Sequence, residues 1–204
     1  MSFHLVQSIF PAYEIYTQQS DQVSTNGYVT LGESVGSSDP DVNNVAVPIF
    51  LPFAGDLMTT ALNGRICYSL HYANDAYLDE INNHLRRIGR STVSATYALV
   101  ITYYSVKDHR APSRTTFQVA LFSDGSDTRV LFNYANSSFP WSVSRRIQVG
   151  YSYGRSLDPN DEYTTIAMYT STSNSNNDSL QLGATPGNTG AYDRPLEPLL
   201  CRKR

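Results

Sequence analysis

Residues 115–134, TTFQVALFSDGSDTRVLFNY, hold two β-type runs separated by a polar corner that contains Asp124-Gly125. Glycine reaches the positive φ of a tight corner without steric cost, so the stretch reads as an antiparallel hairpin reversing at 124–125. Side chains alternate along a strand, which puts Phe117, Val119 and Leu121 on one face of the first run. Val130, Phe132 and Tyr134 share a face of the second, and Trp141, the only tryptophan, follows shortly.

The rest of the chain reads in the same way. Asn26-Gly27 in VSTNGYVTLG marks a tight turn between short strands. VPIFLPFAGDL is an apolar run bracketed by Pro48 and Pro52, and those prolines predict a sheet edge or strand ends. GRICYSLHY alternates Ile66, Tyr68, Leu70 and Tyr72 against Cys67, Ser69 and His71, which predicts a strand. SATYALVITYYSV, 94–106, is apolar on both faces and predicts a central strand. IQVGYSYG and EYTTIAMYTSTS add two more. One helix is predicted at about 75–88. Asn74 or Asp75 caps it, Tyr77, Leu78, Ile81, Leu85 and Ile88 form one stripe, and Gly89 ends it. The sum is a mainly β protein, a β-sandwich or open barrel of about seven or more strands with one helix.

Several function classes fall away on composition. The chain of 204 residues has a net charge of -3, which offers no basic face for nucleic acid. No apolar run nears the roughly 20 residues of a membrane-spanning helix. The four histidines show no metal-ligand spacing, and no nucleophile elbow, phosphate loop or dinucleotide motif occurs. Fifteen tyrosines against eight phenylalanines suit strands whose rings pack while the hydroxyls stay wet. Closely spaced oxygen ligands at Asp158, Asn160, Asp161 and Glu162 make LDPNDEY the candidate calcium loop, with a plain turn as the alternative. Asn136 and Asn177 begin N-x-[ST] triplets and are candidate glycan sites. Cys67 and Cys201 are the only cysteines; Cys67 reads as a core thiol, and in a secreted protein Cys201 would pair with Cys67 or with something downstream. The first twenty residues lack the pattern of a signal peptide.

The hairpin wording, TFQVALFSDGSDTRVLFNY with a tryptophan after it, resembles the NIDO domain family, the extracellular module of nidogen, alpha-tectorin and membrane mucins. VSTNGYVTLG, VPIFLPFAGDLMT, GRICYSLHY, YALVITYYSV and IQVGYSYG are similar to the family's other motifs and come in its order. The resemblance covers residues 5–170 and leaves 171–204 as a polar C-terminal segment that includes a last strand or a linker. It departs from the family at Ala54, Gly55 and Tyr103, where tryptophan is frequent, and in GATPGNTGAYDRPLEP, which only faintly echoes the family's closing motif.

The resemblance implies a non-catalytic extracellular module of a larger protein, secreted or part of an ectodomain, engaged in cell–matrix adhesion. Its partners would be matrix or cell-surface proteins, or glycans. Trp141, Tyr151 and Tyr153 are the candidate ligand-binding aromatics. A lectin-like β-sandwich and a purely structural connector are the alternatives.

Overall fold

The computed structural model describes residues 3–11, 22–31, 35, 45–59, 64–87, 90–108, 114–134, 147–152 and 165–171. In chain order these form β1 (Phe3–Pro11), β2 (Gln22–Val23), β3 (Val29–Thr30), β4 (Ile49–Ala54), β5 (Leu57–Met58), β6 (Arg65–Tyr72), α1 (Ala76–Arg87), β7 (Tyr97–Asp108), β8 (Arg114–Ser123), β9 (Asp127–Tyr134), β10 (Ile147–Ser152) and β11 (Thr165–Ser171). The strands make two antiparallel sheets. One runs β1-β9-β8-β7, with β5 and β6 both on the far side of β7; the other runs β11-β10-β4-β3-β2. This is the mainly β, one-helix architecture that the short strands predict.

The hairpin forms as expected. Phe117 faces Tyr134 and Ser123 faces Thr128 across β8 and β9. Gly125 has φ 93°, and a Cβ there would meet nothing, so the backbone angle rather than space requires glycine. Asp124 ties the corner: one carboxylate oxygen accepts from the Ser126 amide (3.0 Å) and hydroxyl (2.7 Å), and the other holds Arg129 at 2.7 Å.

Strand alternation in the first sheet then builds two of the three buried clusters. Phe117, Val119, Leu121, Val130 and Phe132 join Ile101 and Tyr103 of β7 against Phe50, Phe53, Val149 and Tyr151 of the second sheet. The opposite face supplies Ala98, Val100, Ala120, Phe122 and Leu131, which pack under Tyr77, Leu78, Ile81 and Leu85 of α1. Being apolar on both faces, β7 lies inside the first sheet as predicted. A bulge re-registers its lower end, where Ser105 takes φ 51° and Val106 turns into the same core as Tyr103. Arg114 secures the bulge by donating to the Ser105 carbonyl and hydroxyl, both at 3.1 Å.

The Asn26-Gly27 turn is keyed to that core. Tyr103 reaches it with its hydroxyl, 2.9 Å from the Ser24 carbonyl and 3.0 Å from the Tyr28 carbonyl. Burial pushes this phenol well above its ordinary range, so it stays a donor. Gly27 has φ 78°, and a Cβ there would collide with the Phe53 carbonyl oxygen.

One expectation is corrected, and one strand was not foreseen. Pro52 lies inside β4, an interior strand, rather than at an edge. The register with β10 shifts between Gln148 and Gly150 beside it, and a bulge is where a ladder tolerates a residue without an N–H. The first residues form a strand, β1, which pairs with β9 and which the interrupted pattern around Gln7 and Pro11 does not announce.

Candidate functional site

Strand β6 carries the most unusual surface among the described residues. It pairs with β7 from Arg65↔Tyr104 to Tyr72↔Tyr97, and no described strand takes its outer edge. Its alternation predicts an apolar face and a mixed face. In β8 the equivalent apolar face is sealed by the second sheet. In β6 it is open: Tyr68 is 75% exposed, Leu70 40% and Tyr72 59%. The three occupy alternate positions, hence one face, about 7 Å apart along the strand. Tyr72 leans on Tyr97 of β7 with ring centroids 5.4 Å apart, which extends the strip across two strands. Large apolar groups in a line at a sheet edge mark an interaction surface.

The opposite face of β6 is polar and closed. Asp75 caps α1, its Oδ1 accepting from the Tyr77 amide at 2.8 Å. Asn74 takes φ 74° so that the chain can turn from strand into helix. Asp75 Oδ2 lies 3.0 Å from His71 Nδ1, an ion-pair distance without hydrogen-bond alignment. His71 Nε2 meets Ser69 Oγ at 2.8 Å. The imidazole is 5% exposed and stacks on Tyr77 at 4.7 Å. The Tyr77 amide, with the His71 ring beside it, holds the Asp75 carboxyl below its usual range despite partial desolvation. Burial, with Glu80 nearby, pushes the Tyr77 phenol up.

The sequence shows no nucleophile–base constellation, yet Ser69, His71 and Asp75 stand in the order hydroxyl, imidazole, carboxylate. Chemically this arrangement can polarise the Ser69 hydroxyl. Structurally it bolts β6 to the start of α1. The spacing 69, 71, 75 becomes meaningful only once a strand end and a helix cap are known to meet.

His84 is also missed. It sits on the buried stripe of α1 beside Leu85, and burial, with Arg87 adding, lowers its pKa to about 4. The i, i+3 spacing from Ile81 was the available signal.

Among the aromatics predicted to bind ligand, Tyr151 is corrected by its position. It is 3% exposed, in the core between the sheets, because β10 is covered on both faces. Trp141 and Tyr153 lie outside the described residues, as do Asp158, Asn160, Asp161, Glu162, Asn136, Asn177 and Cys201. Cys67 is disulfide-bonded rather than a core thiol. Among the described residues no group of acids, histidines or cysteines could hold a metal, and no helix is long and apolar enough to cross a membrane.

A family model described as a nidogen-like domain matches residues 19–192. No curated protein and no solved structure matches the chain.

Proposed function

The chain belongs to the nidogen-like domain family, whose members are extracellular modules of larger proteins, and we propose that it is a non-catalytic adhesion module that binds through β6. The observation that carries this reading is the line of Tyr68, Leu70 and Tyr72, exposed on a strand whose outer edge no described strand takes. An extended segment of a matrix or cell-surface protein can add to such an edge through backbone hydrogen bonds, with its side chains seated between the tyrosines. Two rigid aromatic rings order at low entropic cost, which makes them effective contact residues. A glycan is the second reading, favoured by the exposure of two tyrosines, Tyr68 and Tyr72, on one face of the strand. Asp158, Asn160, Asp161 and Glu162 as a calcium loop, Asn136 and Asn177 as glycan-bearing sites, and Trp141 and Tyr153 as further contacts remain part of the proposal. The proposed location is outside the cell, secreted or on an ectodomain.

The test is a panel of matrix proteins and a glycan array, probed with the wild type and with Tyr68→Ser/Tyr72→Ser. We expect at least one ligand for the wild type and at least tenfold weaker binding for the double variant at unchanged melting temperature. Equal binding by both would remove β6 as the site; a glycan-only signal would select the second reading. The non-catalytic part has its own check. A fluorophosphonate probe should leave Ser69 unmodified, and labelling that Ser69→Ala abolishes would overturn it.

A further inference from the structure

Among the described residues, four strands besides β6 lie at a sheet edge, and each carries something that hinders a further strand from joining. β2 and β5 are two residues long. β1 holds Pro11, and its register with β9 breaks between Val6 and Phe10. The register of β11 with β10 breaks beside Val149 and Gly150. Shortness, proline and bulges are the ordinary means of keeping an open edge unpaired. β6 has none of them. It is eight residues long, and its register with β7 runs unbroken from Arg65 to Tyr72. Residues 66–72 include no proline, glycine, lysine, arginine or acid.

The two ends of β6 carry opposite charge. Arg65 opens the strand, its guanidinium carbon 4.7 Å from the Tyr104 ring centroid, and it makes no ion pair among the described residues. Asp75 stands past the other end, with Asp79 exposed in the first turn of α1. Asp79 has no ion-pair partner among the described residues either.

We propose that this edge pairs with β6 of a second copy, antiparallel about a two-fold axis. Antiparallel order sets the basic end of each strand beside the acidic end of the other, so the edge is complementary to itself. With Leu70 on the axis, Tyr68 of each copy comes opposite Tyr72 of the other, and Arg65 comes opposite Asp75. Residues of one face meet residues of the same face, and the tyrosine–leucine strip runs on from one copy into the next. Side chains stand perpendicular to the sheet, so pairing engages the edge and leaves that face open to solvent. The inference rests on the same open edge as the adhesion reading but requires no foreign ligand. A foreign strand and a second copy would take the same backbone groups, so each excludes the other.

The experiment is sedimentation velocity of the full chain over a concentration series. We expect a dimer whose fraction rises with concentration. A chain that stays monomeric up to about 1 mM, the scale of a barely favourable contact, overturns the proposal. Leu70→Lys puts two like charges opposite each other on the axis. It should stay monomeric over the same range at an unchanged melting temperature, because Leu70 is 40% exposed in the single copy. A dimer as strong as that of the wild type would overturn β6 as the interface. Exchanging charges reads the direction, with Asp79 chosen because Asp75 caps α1. Arg65→Glu and Asp79→Lys should each weaken pairing about fivefold alone, and their mixture should restore it. A mixture that pairs no better than either variant overturns the antiparallel register. A chain that self-pairs yet binds nothing on the matrix and glycan panel sinks the adhesion reading and spares this one; a monomer that binds does the reverse.

Discussion

Strands β6 and β8 belong to one sheet and share one pattern, yet they have opposite fates. In β8, Phe117, Val119 and Leu121 face the second sheet and are sealed, while Ala120 and Phe122 are sealed by the helix. In β6, Tyr68, Leu70 and Tyr72 point the same way as those core residues but stand beyond the cover, and the polar His71 is the buried one. Alternation therefore decides which residues share a face. The extent of the neighbouring layer decides whether that face is core or surface.

The comparison breaks most visibly at its core end. Phe117→Ala removes a ring that stacks on Tyr103 at 4.6 Å and tilts on Phe53 at 5.6 Å. It should cost about 3–5 kcal/mol by denaturant unfolding, whereas Tyr68→Ala should stay within about 0.5 kcal/mol. Equal losses would mean that β6 is as covered as β8.

Next is Tyr103→Phe, which keeps the stack but leaves the Ser24 and Tyr28 carbonyls without their donor. We expect a loss of about 1–3 kcal/mol in the same measurement.

The helix side gives a pH dependence. His84 has its folded pKa lowered from 6.5 to about 4. Between those values the unfolded chain binds a proton that the folded chain refuses, so stability falls as pH drops through that window. His84→Gln should flatten this stretch of the stability profile, at about 1.4 kcal/mol per unit of pKa difference removed. Asp75 works lower on the scale. Its folded pKa is depressed, so its contribution is present above about 3.8 and fades as pH falls through the folded value. Asp75→Ala also loses the helix cap and should cost roughly 1 kcal/mol at neutral pH, with fraying of residues 76–79 by hydrogen exchange.

Much of this contrast was legible beforehand, and the part that was not has physical causes. The β8–β9 hairpin, β7 and α1 announce themselves because local rules agree: a positive-φ glycine in the corner, apolar residues on both faces, a capping acid before a 3.6-residue stripe. Strand β1 is hidden because it gains its order from the partner β9 rather than from its own interrupted pattern. Pro52 misleads because its tolerance depends on a bulge in β4 that only the register with β10 creates. Tyr151 misleads because burial was not legible from its pattern, just as the exposure of Tyr68 was not. Tyrosine is equally at home buried or wet, and only the second layer tells which. Ser69, His71 and Asp75 converge across a strand–helix junction, so spacing alone does not reveal them.

The most direct measurement is mild nitration of the native chain with tetranitromethane, mapped by mass spectrometry over the fifteen tyrosines. Among the described residues, Tyr68 and Tyr72 should react first, while Tyr28, Tyr103 and Tyr151 stay unmodified until the protein unfolds. Protection of Tyr68 and Tyr72 equal to that of Tyr103 would contradict the account, because the face of β6 would then be covered in the protein itself.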